Sequence, residues 1–153
     1  LENYLKFRVA RHEYFIPLKN VVRVLPAVVI RDYPAKDTLN LLGYVIIEGE
    51  PIAVIDIYHR AGIVFEGIEL SHKMVLMNWN NFRFLIVADE VSDITELDTS
   101  IFKNFAINTF SSASVLVDSN GRYIINDIGL FINEDTLINL FTGERILSGE
   151  EIE

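Results

Sequence analysis

Leu41-Leu42-Gly43-Tyr44-Val45-Ile46-Ile47-Glu48-Gly49-Glu50-Pro51-Ile52-Ala53-Val54-Ile55-Asp56-Ile57 decides the fold class of this 153-residue chain. Apolar and β-branched residues run up to a Gly-Glu-Pro break and then resume in alternation, the pattern of two antiparallel strands joined by a tight turn. Val45, Ile47, Ile52, Val54 and Ile57 supply the side a core would bury, while Glu48 and Glu50 cluster at the tip. Nothing in the stretch carries catalytic chemistry.

Working outward, the same organisation recurs. Tyr4-Leu5-Lys6-Phe7-Arg8-Val9 and Glu13-Tyr14-Phe15-Ile16 form a first hairpin around Ala10-Arg11-His12. Lys73 to Asn78 and Phe82 to Ala88 bracket Trp79-Asn80-Asn81, whose Asn pair tolerates positive φ. Ala113 to Val117 and Tyr123 to Asp127 flank Ser119-Asn120-Gly121, the clearest short turn signal in the chain. Between these hairpins, Pro17 to Leu25 predicts one or two helical turns ended by Pro26, from the spacing of Leu18, Val21, Val22 and Leu25. Val28 to Arg31 predicts a short strand, Tyr33 to Asp37 a loop, and Thr38 the cap of a single turn. A loop with mixed signals follows Tyr58 to Gly62 and runs through Ser71, and Asp89 to Ile94 leads into a less regular stretch. Asn133 to Leu140 is helix-like with Asn133 as its cap, and Leu147 to Glu153 is an acidic, frayed tail.

Laid over itself at an offset of about 70 residues, the chain repeats: Leu5, Phe7, Tyr14, Ile16 and Val21 fall on Val75, Met77, Phe84, Ile86 and Val91. Val45 and Ile47 fall on Val115 and Val117, and one further residue brings Val54, Asp56 and Ile57 onto Ile125, Asp127 and Ile128. The order hairpin, irregular stretch, hairpin occurs twice. The fold class is therefore mainly β with short helices: two similar small β-barrels side by side, the first over roughly 13–72 and the second over roughly 73–147, with strand 1–12 able to join the second.

Half the residues are hydrophobic, enough for a real core, and no run reaches the about 18 apolar residues of a membrane span. With no basic leader and no cysteine, the chain reads as soluble and cytoplasmic; Leu1 in place of an initiator Met reads as a piece of something longer. Net charge is −9, and residues 1–70 carry 8 Lys+Arg against 9 Asp+Glu while residues 71–153 carry 5 against 13. An acidic second half repels phosphate backbones, so neither nucleic acid nor an anionic membrane is expected as a partner.

No catalytic residue, metal site or cofactor is expected. Asp56 with His59, and Asp89 with Glu90, offer acid–base groups, but neighbours on a strand point to opposite faces. His12, His59 and His72 are too scattered for ligand spacing and read as solvated turn residues. Nucleophile motifs and glycine-rich phosphate loops are missing. Trp79 reads as the cap of a barrel end, with an exposed anchor as the other option. Gly43, Gly49, Gly62, Asn120 and Gly121 read as turn formers, and Asp56 and Asp127, matched in the two halves, as acceptors for loop amides. Val21, Val24 and Val91 are either core or groove residues.

Leu5-Lys6-Phe7, Glu13 to Leu18, Val21 to Pro26, Leu42 to Gly49, Pro51 to Ile57, Ala61-Gly62, Phe84 to Ile94 and Ile124 to Ile128 together resemble the CheW family of chemotaxis adaptors. The resemblance implies one domain over 1–153 with two five-stranded SH3-like barrels. It also implies a non-enzymatic adaptor between a histidine kinase's regulatory domain and a chemoreceptor's cytoplasmic hairpin, with Val21, Arg23, Val24, Glu48, Val91 and Ile94 as partner-binding residues. A regulatory domain for another signalling partner and a small-molecule-sensing barrel are the alternatives. Two positions depart from the family pattern: Glu48 stands where the family's Asn-Leu-Arg-Gly motif has arginine, and Arg23 where an acid is common. If the two face each other, they form that ion pair reversed.

Overall fold

The computed structural model describes residues 1–32, 41–60, 62–98, 115–118, 120–125 and 127–132. In chain order the elements are β1 (Glu2–Val9), β2 (His12–Pro17), a 3-10 turn (Leu18–Asn20), β3 (Val21–Pro26), β4 (Leu41–Ile47), β5 (Glu50–Ile55), α1 (Ile57–Arg60), β6 (Lys73–Trp79), β7 (Phe82–Ala88), β8 (Glu90–Leu97), β9 (Val115–Val117), β10 (Tyr123–Ile125) and α2 (Ile128–Ile132). Two of the tight turns have the same cause. Glu48 and Gly49 sit at φ 52° and 83°, Asn80 and Asn81 at 49° and 65°; two successive positive φ values match the twist of the strands they join.

The strands form two five-stranded sheets, ordered β8-β1-β2-β10-β9 and β3-β6-β7-β5-β4, the mainly β architecture of two SH3-like barrels. Replacing each element by its counterpart in the other half turns one order into the other, so the repeat is real at the level of topology. The division at residue 72 is not. Each barrel takes one hairpin from its own half of the chain and three strands from the other: β1 and β2 join β8, β9 and β10, while β6 and β7 join β3, β4 and β5. All four hairpins pair within a half. The other four pairings, β1 with β8, β2 with β10, β3 with β6 and β5 with β7, all cross between halves. Two of these, β2 with β10 and β5 with β7, are parallel, as a crossover between halves permits and a hairpin does not.

This exchange explains the strands that read as continuous apolar runs. Met74, Val75, Leu76 and Met77 in β6, and Phe84, Leu85, Ile86, Val87 and Ala88 in β7, are all buried, although alternate residues point to opposite faces. One face fills a barrel and the other meets the neighbouring sheet, so polar alternation is lost. A single apolar cluster joins Leu5, Phe7, Val9, Tyr14 and Ile16 of one sheet to the central strands of the other. Tyr4, Phe15, Leu97, Leu116 and Ile124 form a second, smaller one on the opposite face of the first sheet.

Several local expectations are corrected. Pro17 to Leu25 holds only the three-residue 3-10 turn before β3, because the β-branched Val21, Val22 and Val24 extend to pair with β6. Asp89 to Ile94, where the sequence assigns no element, opens a regular strand: β8 pairs with β1 from Glu90 to Leu97. The strand at Val28 to Arg31 reduces to one bridge, in which Arg31 and Tyr44 exchange both backbone hydrogen bonds at 2.8 Å. That bridge brings the chain leaving β3 back onto β4, the opposite edge of the sheet. Gly43 is not a turn former. It lies within β4 at φ 145°, at the register shift beside the bridge, where a Cβ would collide with the Arg31 carbonyl oxygen. Gly62, at φ 74°, closes α1 in a Schellman arrangement, its N–H donating to His59 O and that of Ile63 to Tyr58 O. Asn120 and Gly121 stay in the loop between β9 and β10, where the Asp118 carboxylate accepts from the Asn120 and Arg122 amides at 2.9 Å. Trp79 is half-buried and packs on the main core, its indole where a side chain at Gly129 of α2 would have to go. The loop at Tyr33 to Asp37, the cap at Thr38, the helix at Asn133 to Leu140 and the acidic tail lie outside the described residues.

Candidate partner-binding edge

β3 is an edge strand, and what it shows to solvent is apolar: Val22 and Val24 are exposed, as are Val28 and Val29 just beyond it and Ile46 on β4. An apolar surface at an unpaired sheet edge is the kind of feature that marks a contact site. Across it runs the reversed ion pair anticipated above. Arg23 Nη2 donates to Glu48 Oε1 at 3.2 Å, linking the edge strand β3 to the tip of the β4–β5 hairpin. Both side chains remain largely solvated, so the pair contributes about 0–1 kcal/mol and acts on surface charge more than on stability. The same tip is held from its other side, where Arg83 Nη2 of β7 donates to Glu50 Oε2 at 2.6 Å.

The six residues implied as partner-binding divide cleanly. Val21 and Val91, seventy positions apart, are both partly buried and pack on the core. Val24 and Ile94, also seventy apart, are both exposed, at 41% and 60%. Arg23 and Glu48 meet; Val91 and Ile94 lie on β8, in the other sheet. The structure thus gathers Arg23, Val24 and Glu48 at one edge.

A polar cluster that the sequence did not reveal holds the two sheets together. Asp89 lies between β7 and β8, where the chain passes from one sheet to the other. Its Oδ1 accepts from the Tyr58 hydroxyl at 2.6 Å and faces His72 Nε2 at 3.2 Å, both attached to one sheet. Its Oδ2 accepts from the Ala10 amide at 2.6 Å and lies 3.6 Å from Arg8 Nη1, both attached to the other. Burial alone would raise the Asp89 pKa, but the hydrogen bonds from Tyr58 and Ala10, with His72 and Arg8 nearby, outweigh it and hold the carboxyl below its usual range. Burial first, and then the bond to Asp89, push the Tyr58 hydroxyl above the usual tyrosine range.

His72 is therefore not a solvated turn residue. It is buried, and its Nδ1 accepts the Glu69 amide at 2.8 Å, which leaves Nε2 to carry the proton toward Asp89. Phe65 packs against both Tyr58 and His72, with ring centroids 5.0 and 5.8 Å apart. Ala10 and Asp89 are 79 residues apart, so no local pattern could have paired them; the one available signal was the set of aromatics around His72. His12 stacks edge-on against Tyr123, and His59 lies on α1, where its amide donates to Asp56 Oδ1 at 3.0 Å. That gives Asp56 the amide-binding task read from the sequence. Arg8 reaches both Asp89 and Glu90 at 3.6 Å, so those neighbours share a cation, not a reaction centre. Among the described residues, no group of three or more acidic or histidine side chains is gathered as a metal would require, and no helix is long and apolar enough to cross a membrane.

The sequence model of the CheW-like domain matches residues 3–135 of this chain. No curated protein matches it. Among solved structures, the scaffolding protein TtCheW from Thermoanaerobacter tengcongensis is similar, with a TM-score of 0.66 and 19% identity over 87% of this chain and 94% of that chain. At that identity the likeness is one of fold. With a family match over most of its length, and folded as two such barrels, the chain belongs to the CheW-like domain family.

Proposed function

We propose that this chain is a non-enzymatic scaffold of chemotaxis-type signalling, acting in the cytoplasm as a single CheW-like domain. It holds a histidine kinase's regulatory domain and a chemoreceptor's cytoplasmic hairpin at the same time. The observation that carries this reading is the family match over residues 3–135, in a chain whose β3 edge presents exposed Val22 and Val24 beside the Arg23–Glu48 pair. A scaffold needs a rigid body and a wet, partly apolar contact surface, and no reacting group. The shared core supplies the first and the β3 edge the second. Each partner shifts the signalling state of the other only by its own differential affinity for the two states. The acidic second half disfavours nucleic acid and anionic lipid as competitors.

The test is calorimetric titration of the purified chain with a kinase regulatory domain, with a receptor signalling hairpin, and with both together. The expected result is binding to each and a ternary species. Val24→Asp should weaken one of the two by at least about tenfold, the loss of one central apolar contact. A wild-type chain that binds neither overturns the reading.

A further inference from the structure

Among the described residues, the strand pairings show that neither half of the chain completes a sheet by itself. Residues 1–60 can form the β1–β2 and β4–β5 hairpins, and residues 73–132 the β6–β7 and β9–β10 hairpins, because these pairings are local. Every pairing that assembles hairpins into barrels crosses from one half to the other. An isolated two-stranded hairpin is marginal in water, so each half is stable only on its complement. The core has the same dependence: Phe7, Tyr14 and Ile16 of the first half and Met77, Phe84 and Ile86 of the second lie in one cluster.

The covalent link between the halves is slight. After α1 the chain runs from Gly62 to Ser71 without helix or strand, and around Gly67 an added Cβ would touch nothing within 4 Å. What seats this loop is Ile63, Phe65 and Ile68 against the core, the bonds of the Gly62 and Ile63 amides to the end of α1, and His72 against Asp89.

We infer that each half is a binding partner for the other, and that a second copy of this chain can supply it, giving a strand-exchanged dimer with the same barrels. Every strand pairing is kept in such a dimer, and only the loop over 62–71 changes its course. Within one chain the tether gives each half a high effective concentration of its complement, so the closed monomer prevails when dilute and exchange grows with concentration. The exchange has a consequence for binding. Val22, Arg23, Val24, Ile46 and Glu48 all belong to the first half, so the dimer carries two copies of the β3 edge and is bivalent toward whatever that edge contacts. The inference is independent of which partner this is.

The experiment uses two full-length variants. Phe7→Asp places a charge in the buried part of the first half, and Phe84→Asp does the same in the second. In an exchanged dimer of one copy of each, one lobe receives both lesions and the other receives none. Refolded together, the variants should give at least tenfold more soluble protein than either alone, eluting at twice the monomer mass with a cooperative melt. Refolded separately, each should fail. Joint refolding that recovers no more than the two separate refoldings overturns the inference.

A second measurement does not depend on the lesions. A protease site placed between Glu66 and Gly67 is cut in the folded wild-type chain. The halves should stay together in native buffer, separate in denaturant and, when two differently tagged preparations are refolded as a mixture, return as mixed pairs. Halves that part in native buffer overturn it equally.

Discussion

β3 and β8 occupy equivalent places in the two barrels, each at an edge and each following a hairpin that starts its half of the chain. Their inward residues agree: Val21 and Val91 both pack on the core. Of their outward residues only Val24 and Ile94 agree: where β3 has exposed Val22, Arg23 and Pro26, β8 has Ser92, Asp93 and Glu96. Glu48 neutralises Arg23, whereas the residue seventy positions beyond Glu48 is Asp118, an acid like Asp93 and already bound by the Arg122 side chain and the amides of its own loop. The duplicated fold thus constrains what faces the core and leaves the solvent face free to diverge. The β3 edge is apolar with its one charge neutralised by Glu48, and the β8 edge is acidic around a single exposed Ile94.

The largest effect on this comparison comes from opening the barrel that β3 closes. Gly43→Ala puts a methyl group onto the Arg31 carbonyl oxygen at a φ that L-residues avoid, and the Arg31–Tyr44 bridge has to give way. A loss of about 3–4 kcal/mol is expected, read as a lower urea midpoint, while Gly49→Ala, with open space around its Cβ, costs only the turn strain of about 1 kcal/mol.

Next is the clamp between the barrels. Asp89→Asn weakens two hydrogen bonds and removes the charge that faces Arg8 and His72, for a loss of about 2–3 kcal/mol. Its pH dependence has a definite sign. The folded pKa of Asp89 lies below its unfolded value of about 4, so the contribution is complete above that value and is lost as pH falls through the folded pKa. Stability measured from pH 6 downward should therefore fall less steeply in Asp89→Asn than in wild type, with the two curves converging in acid.

That clamp also marks where sequence reasoning stops. The four hairpins were legible because a turn signal and the strands it joins are contiguous; Asn80-Asn81 favours positive φ by itself, whereas the break read at Gly49-Glu50-Pro51 turns one residue earlier, at Glu48-Gly49, with Glu50 and Pro51 already in β5. The repeat was legible because inward residues such as Phe7 and Met77, or Tyr14 and Phe84, obey the same packing demand. Which hairpin pairs with which was not, since a repeat says that elements are alike and nothing about their neighbours. So the exchange of strands between halves, the role of His72 and the partners of Asp89 came only with the coordinates. β8 was obscured for a different reason: Ser92, Asp93 and Glu96 are allowed on an edge strand with one solvated face, and a register shift where it pairs with β1 breaks the alternation. Of the candidate site, the Arg23–Glu48 pair was legible as two opposite departures from a family pattern, while the split between Val21 and Val24 needed the burial of each.

The contrast between the two edges is sharpened by placing one charge on each. Val24→Asp and Ile94→Asp substitute equivalent exposed residues, so both should change stability by less than about 0.5 kcal/mol. Their effects on binding should differ. On the apolar β3 edge the new charge has to be desolvated in the contact, whereas on β8 it joins Glu90, Asp93 and Glu96 in solvent. Titration with the kinase regulatory domain and the receptor hairpin should show the loss of at least about tenfold for Val24→Asp alone. Equal losses at both positions would mean that the acidic edge is a contact surface too.

The smallest effect on stability, and the most specific, belongs to the ion pair. Glu48→Arg sets two guanidinium groups at the place where one pair now spans the barrel edge, and Arg23→Glu sets two carboxylates there. With both side chains solvated, each single reversal should cost no more than about 1 kcal/mol, and the double reversal should recover most of it, the coupling of an exposed pair. Binding should not be restored in the same way. The double variant regains the pair but presents its charges in the opposite order, and a partner that reads the order of charges along β3 and the β4–β5 tip distinguishes the two arrangements by repulsion as well as attraction. A double variant as stable as wild type that binds a kinase regulatory domain or receptor hairpin at least about tenfold differently would assign partner choice to this pair. Unchanged affinity for both would leave it as a staple between β3 and the hairpin tip and nothing more.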